Sequence, residues 1–362
     1  MNFDLSDEQK MLAEQARGLL AERSPFDHLR KLIDAGAEWD EALWRELGEM
    51  GFLGVTIAES YGGLGLGELD LGVIAQELGR ANAAVPFFSS IVLCADAIQL
   101  AGSEAQKANW LPRLASGEVI GTFAYAEGPG PVMATGATVS STGLNGTKTP
   151  VADAGIADIA VVLTASGLAL VELDQPGVAR TRLESFDQLR AHYSLSFTDA
   201  VAEILPGKTP AATLLDRAAV QAAFEATGAA EACLHMARDY ALSRQIFGRS
   251  LASYQAIKHK LADLAVLVEL SRSNAFFAGW SAEQSADQLP GAAAAARLSA
   301  IAAFEAGARE NLQVHGGIGY TFEANCHFFY RRERMLSVNV GNREYWADRL
   351  IAHLPGTQTE AA

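Results

Sequence analysis

Residues 240–248 read Tyr240-Ala-Leu-Ser-Arg-Gln-Ile-Phe-Gly248, and residues 313–320 read Gln313-Val-His-Gly-Gly-Ile-Gly-Tyr320. Each closes a long apolar run of helical character. Arg244 falls at the end of a helical stretch that Gly248 should stop, and a guanidinium there can clamp a phosphate with a fork of donors. Phe247 offers a face for stacking a flat ring. Gly316 and Gly317 let the backbone approach a ligand closely. Plainer readings exist for both stretches: a C-terminal cap with a core phenylalanine, and an ordinary helix stop. His315 alone reads as a satisfied structural histidine rather than a base.

Working outward, four helical runs surround these stretches: Ala211 to Ala230 and onward, Leu251 to Ser271, Ala292 to Leu312, and Asn342 to Ala352. Ile257, Leu261, Leu264 and Val268 mark one face at 3–4 spacing. The third run is alanine-rich, which permits close helix contact. Residues 207–362 therefore predict a four-helix bundle, of a kind that can form an oligomer core. The charged run Arg331-Arg332-Glu333-Arg334 reads as a solvated or inter-helix cluster.

Residues 1–118 also read as helical. Ser6-Asp7-Glu8-Gln9 is a capping box, and Met11, Leu12, Gln15, Leu19 and Leu20 form an imperfect stripe behind it. Ala42 to Met50 ends at Gly51, and Leu71 to Arg80 and Leu93 to Ala101 follow, separated by Pro86. Gly63-Leu-Gly65-Leu-Gly67 lacks the spacing and the preceding strand of a dinucleotide loop, so it reads as a turn between helices.

Residues 119–206 change character. Ile156 to Thr164, Leu168 to Leu173 and Tyr193 to Phe197 predict strands, Asn145-Gly146 a hairpin turn, and the uncharged stretch Gly128 to Thr147 a loop. This zone predicts a small β-barrel or sandwich. The fold class is α+β, mostly α, in three zones: 1–118, 119–206 and 207–362.

Composition sets the outer limits. The chain has 362 residues, with 28 Lys+Arg against 43 Asp+Glu, a net charge of 28 − 43 = −15. That balance, with no basic stripe, disfavours nucleic-acid binding. At 49% hydrophobic residues the chain is not disordered, and no stretch is long and apolar enough to span a membrane. Met1-Asn2-Phe3-Asp4 lacks the basic region and apolar core of a secretory signal. Cys94, Cys233 and Cys326 have neither disulfide nor zinc spacing, which predicts inert thiols, no metal site and a cytoplasmic setting.

Taken in order, the motifs resemble those of acyl-CoA dehydrogenases over nearly the whole chain. The matching stretches are Leu5-Ser-Asp-Glu-Gln9, Leu47-Gly-Glu-Met-Gly-Phe-Leu-Gly54, Glu59-Ser-Tyr-Gly-Gly-Leu-Gly65, Gln76-Glu-Leu-Gly-Arg80 and Leu111-Pro-Arg-Leu-Ala-Ser-Gly-Glu118. Leu144-Asn-Gly-Thr-Lys148, Ala157-Asp158, Arg244-Gln-Ile-Phe-Gly248 and Gln313-Val-His-Gly-Gly317 continue the series. The resemblance implies FAD, an acyl-CoA substrate, α,β-desaturation, an electron-transferring flavoprotein or other acceptor, and a dimer or tetramer of like or unlike chains. It also implies a site shared across a subunit interface: one subunit cradles the flavin ring and its neighbour clamps the adenine and pyrophosphate.

Matched residue by residue, the neighbour-type clamp is intact: Arg244, Phe247, Gln313, Gly316 and Gly317. The cradle departs from the pattern. Ala126 replaces the expected hydroxyl while Glu127 remains, and Pro150 and Ala152 replace an aromatic residue and a threonine. The usual catalytic Glu falls on Val340, which cannot take a proton. A base on the first helix of the C-terminal domain would match Asp216, beside Arg217, about two residues out of register; Glu225 is a further candidate. Three readings stand side by side: a self-sufficient dehydrogenase with Asp216 as base, the cofactor-clamping subunit of a two-subunit enzyme of lipid or steroid catabolism, and an inactive acyl-CoA-binding or scaffold paralogue.

Overall fold

A computed structural model describes residues 5–354. Met1–Asp4, on which the signal-peptide reading rests, lies outside the described residues, as does the tail from residue 355. Helices α1 (Asp7–Arg23), α2 (Phe26–Asp34), α3 (Glu41–Glu49), α4 (Glu68–Arg80), α5 (Asp96–Ala101) and α6 (Glu104–Ala115) come first. Strands β1 (Gly121–Ala124), β2 (Thr138–Val139), β3 (Leu144–Ala152), β4 (Ile159–Thr164), β5 (Gly167–Glu172), β6 (Val178–Leu183), β7 (His192–Ala200) and β8 (Ala202–Ile204) follow. Then come α7 (Ala211–Ser243), the short strands β9 (Gln245–Ile246) and β10 (Arg249–Ser250), α8 (Gln255–Gln284), α9 (Leu289–His315), α10 (Cys326–Leu336) and α11 (Arg343–Ala352). No helix among the described residues is long and apolar enough to cross a membrane.

Within the described residues the chain forms two compact units. One gathers the segments up to His28, Glu68–Ala83 and everything from Ala219 on; the other gathers Leu29–Gly67 and Ala84–Ala218.

In the first unit, Ser6 and Gln9 make both bonds of the capping box at 3.1 Å. The stripe on α1 is shifted from the expected one. Ala13, Ala16 and Leu20 are buried, while Met11 is exposed. Small side chains let α1 lie close against α4, where Arg17 forks onto the buried Glu77 at 2.8 and 3.0 Å. A second close crossing needs glycine outright. A Cβ on Gly79 of α4 would stand 1.9 Å from the carbonyl of Glu225 on α7. In the bundle, Arg297 on α9 is fully buried and donates to the carbonyls of Leu336 and, at 3.0 Å, Asn339. It thereby closes α10. That helix had no expected counterpart, its charged run reading as a solvated or inter-helix cluster. Arg332 and Glu333 are buried within the bundle, so for these two the inter-helix alternative holds.

In the second unit two four-stranded sheets form, ordered β1-β4-β5-β8 and β2-β3-β7-β6. β1 and β4 run parallel and the remaining pairs antiparallel. Thr122 of β1 donates to the carbonyl of Ala152 on β3 at 2.6 Å, tying one sheet to the other. Asn145-Gly146 is not a hairpin turn: it lies inside β3 at a bulge in the β3–β7 pairing, with Gly146 at φ 132°. Tertiary pairing overrides the local turn signal, and the Asn145 amide bonds Asp199 instead. The stretch 128–147 is likewise not all loop, since it holds β2 and the start of β3. Leu93 to Ala101 is helical only in part as expected: a π-helical stretch, Phe88–Ala95, precedes α5. Gly63–Gly67 is irregular chain leading into α4, held by backbone bonds from Leu64, Gly65 and Leu66 to the carbonyls of Gly54, Ile57 and Val55. All three cysteines are free and buried. Burial pushes the Cys94 and Cys326 thiols up to about 12, which leaves them unreactive.

Candidate functional site

The best-formed candidate lies at the ends of α7 and α9. α7 stops at Ser243, before Gly248. β9 and β10 then pair in a two-residue hairpin, Arg249 opposite Ile246 and Ser250 opposite Gln245. Its turn residues, Phe247 and Gly248, have φ of 51° and 77°. Such a turn demands positive φ at both central positions, normally met by Asn-Gly or Asp-Gly. A phenylalanine there costs about 1 kcal/mol of backbone strain. It is also 94% exposed, so it is no core residue. Neither the strain nor the exposure benefits the isolated fold, and strained residues concentrate at functional sites.

Arg244 stands exposed at the base of this hairpin. Its backbone is fixed from both sides: its N–H donates to Tyr240 O, and its carbonyl accepts from Leu251 N, both at 2.8 Å. Its guanidinium has no carboxylate partner among the described residues. Arg249 stacks over the Tyr254 ring at 3.9 Å, and the Tyr254 hydroxyl donates to Ile246 O at 3.0 Å. Sequence reasoning missed this arginine. Its signal was an aromatic residue five positions on.

α9 ends beside this hairpin. Gln313 and Gly317 are exposed and Gly316 is half-buried. A Cβ on either glycine would meet nothing within 4 Å, so both face open space. Gly316, at φ 66°, turns the chain out of the helix. The two ends are joined by one ring pair: His315 stacks on Tyr240 with centroids 4.1 Å apart and planes 25° apart. Below it, Ala237, Ala241 and Val314 form a small buried core against Tyr240, Leu251, Ile257 and Leu261. Arg244, Phe247, Gln313, Gly316 and Gly317 thus belong to one surface.

The remaining candidates lie elsewhere. Glu127 and Asp216 fall in the other unit. The Glu127 carboxylate is spent internally. It accepts from Lys148 Nζ at 2.6 Å, Ala137 N at 2.9 Å and Gly136 N at 3.1 Å. Burial pushes it up, but these donors outweigh burial and hold it below the usual carboxylate range. Glu127 therefore shapes the 128–137 loop. It offers no free carboxylate edge. Around it, Ala126 and Thr149 pair through their backbones at 2.9 Å, and Ala126, Pro150 and Ala152 bring no side-chain donor.

Asp216 is buried near the N-terminal end of α7, at the opposite end of that helix from the clamp. Its neighbour Arg217 grips Asp96 with two bonds of 2.8 Å. Glu225 is buried in an ion pair with Arg332 at 3.5 Å. That pairing gives it a structural task in the bundle. Val340 is fully buried at φ 51°, an outlier for a β-branched residue. No cluster able to hold a metal ion exists among the described residues.

These residues fit one half of a dinucleotide. An exposed ring, an unpaired guanidinium and two open glycines suit an adenosine and its pyrophosphate. The positions that would hold a flavin ring, 126, 150 and 152, do not fit it through side chains.

Comparison with known proteins shows the family. The model of the acyl-CoA dehydrogenase N-terminal domain matches residues 6–118, and that of the C-terminal domain matches residues 207–354. Acyl-CoA dehydrogenase IpdE2 of Mycobacterium tuberculosis is 31% identical over 90% of this chain and 91% of its own length. A Tcur3481-Tcur3483 steroid ACAD variant superposes with a TM-score of 0.89 at 30% identity, covering 95% of this chain and 96% of the other. The ChsE4-ChsE5 complex from Mycobacterium tuberculosis gives a TM-score of 0.90 at 28% identity, covering 98% and 100%. The chain belongs to the acyl-CoA dehydrogenase family, FAD-dependent oxidoreductases that dehydrogenate acyl-CoA thioesters.

Proposed function

We propose that this chain is the cofactor-clamping subunit of a two-subunit acyl-CoA dehydrogenase, in which a related partner supplies the flavin cradle and the base. The observation that carries this reading is the hairpin tip: Phe247, strained at φ 51° and 94% exposed, beside an arginine with no anionic partner among the described residues. A ring held out at such cost has its partner outside the chain. The internally spent Glu127 and the buried Val340 leave this chain's own cradle without side-chain donors and without a carboxylate at the usual base position. Two of the similar structures bear paired names, Tcur3481-Tcur3483 and ChsE4-ChsE5, and the first is titled a steroid ACAD. A bulky, ring-bearing acyl-CoA is accordingly the substrate class we favour, and an electron-transferring flavoprotein or another acceptor takes the electrons onward.

When bound, FAD supplies the hydride acceptor for the substrate's β-carbon. This chain's part is to bind and orient. Arg244 offers a fork of donors to a pyrophosphate, and Phe247 covers an adenine face. The amide of Gln313 and the bare backbone of Gly316-Gly317 close the other side. Each charge-assisted bond of this kind contributes about 1.5–3 kcal/mol.

A second reading remains, in which the buried Asp216 serves as base of a self-sufficient enzyme. The visible absorption spectrum separates the two. The chain expressed alone with added FAD should elute colourless from gel filtration, and should carry flavin when co-expressed with an acyl-CoA dehydrogenase-like chain from an adjoining gene. Near-stoichiometric flavin on the chain alone would overturn the shared-site reading. No flavin in either preparation would move the acyl-CoA-binding scaffold to first place.

A further inference from the structure

At the junction of the two clamp arms, His315 is a titratable side chain with one ring nitrogen bound within α9 and the other without a partner among the described residues. Its ring lies flat on Tyr240, four residues before Arg244 on α7, and it sits between Gln313 and Gly316 at the end of α9. Its Nδ1 lies 2.8 Å from the carbonyl of Asn311. A carbonyl only accepts, so Nδ1 carries the proton. In the neutral ring Nε2 is then an acceptor and nothing else. Nε2 has no partner among the described residues, and the ring is half-buried.

An acceptor placed there cannot take a phosphate oxygen. It can take an N–H or O–H. On an adenine dinucleotide those donors are the 6-amino group and the ribose hydroxyls. We propose that His315 is a further cofactor-binding residue, its Nε2 receiving a hydrogen bond from the adenosine portion, while its ring on Tyr240 sets the spacing of the two arms; this rests on the clamp reading above. Arg244 then reads the phosphates, and His315 reads the nucleoside.

The neutral ring is favoured. Burial lowers the affinity of His315 for a proton, against the smaller opposing effect of the Asn311 carbonyl. The charged groups on the elements around it are mostly paired, and Asp263 of α8, unpaired among the described residues, is exposed to solvent. On α7, Arg238 is paired with Asp239 at 2.8 Å, and Arg244 is a cation. Arg249 on the hairpin is a second cation, with Lys258 and the imidazole of His259 on α8 and that of His235 on α7. Glu310 of α9 is held by Lys260 at 2.5 Å and Arg309 at 3.3 Å.

The test is FAD release from the flavin-loaded complex, followed by flavin fluorescence between pH 7.5 and 5.5. In the native complex affinity should fall three- to tenfold as pH drops, because protonation turns Nε2 from acceptor into donor; one hydrogen bond sets that scale. His315→Phe, which keeps a ring on Tyr240, should be three- to tenfold weaker at pH 7.5 and flat with pH. His315→Gln, which offers an amide oxygen that does not titrate, should restore much of the affinity without the slope. An unchanged affinity in His315→Phe overturns the proposal. So does the same pH slope in native and variant, which would assign the titration to another group such as His259, and so does tighter binding on acidification. Arg244→Ala measured alongside separates the failures. If it also keeps its flavin, the clamp reading falls; if it loses flavin while His315→Phe does not, only the role of His315 falls.

Discussion

The ammonium of Lys148 lies 2.6 Å from the carboxylate of Glu127, and Lys148 is fully buried. The same ammonium donates to the carbonyl of Ala134 at 2.5 Å, so one side chain ties β3 to both ends of the 128–137 loop. A buried charge loses far more when its partner is removed than the pair contributes together. Glu127→Gln leaves that ammonium buried without its carboxylate and should therefore lower the unfolding free energy by about 3 kcal/mol, and Lys148→Met by less, because Glu127 is partly exposed and keeps its bonds from Gly136 and Ala137. Urea unfolding checks the order. A smaller cost for Glu127→Gln would mean that Lys148 does not depend on the pair.

The hairpin tip should separate stability from binding. Phe247→Gly removes a side chain at positive φ that buries almost nothing in this chain. Unfolding should become neutral to about 1 kcal/mol harder, while flavin retention in the complex drops. A variant that loses both would give Phe247 a packing role in the monomer instead.

Glu333 makes stability depend on pH near neutrality. Burial pushes its carboxyl up to about 7, against the opposing charge of Arg334, and Glu305 adds to the rise. Unfolded, the group has its ordinary value of 4.5. Between those values the folded chain holds a proton that the unfolded chain has released, so stability falls as pH rises from about 4.5 to about 7 and is level above. Glu333→Gln should flatten that slope and raise stability at pH 8 by about 1–2 kcal/mol. Thermal melts across this range decide it; a native chain whose stability rises with pH there contradicts the assignment.

Asp216 tests where the base resides. If the partner supplies it, Asp216→Asn in the assembled complex should keep turnover within about threefold of native, a shift under 1 kcal/mol. Loss of turnover with flavin content and melting temperature unchanged would place the base in this chain.

Much of the fold was legible because its signals are local. The Ser6–Gln9 box, the runs that became α7, α8 and α9, and the apolar segments that became β4 and β5 all follow from spacing within a few residues. Where a local signal met a tertiary demand, the demand won. Asn145-Gly146 is a strong turn dipeptide, yet pairing with β7 drew it into a strand. α10 hid behind charges that the bundle buries. On α1 the buried stripe is Ala13, Ala16 and Leu20, small at two of its three positions, which lets α4 come close.

The site divides the same way. The sequence by itself determined the zones, the family resemblance and the residue types of the clamp, because an arginine, an exposed-type turn and paired glycines keep their chemistry wherever they stand. It also determined the loss of a carboxylate at position 340. Only the tertiary structure decided that Phe247 stands out in solvent, that Arg244 has no anion among the described residues, and that His315 joins the arms with one nitrogen committed and one without a partner among those residues. The same structure spends Glu127 on Lys148 and Glu225 on Arg332. Whether a charged side chain serves a ligand or its own fold depends on which neighbour reaches it, and long-range contacts set that neighbour.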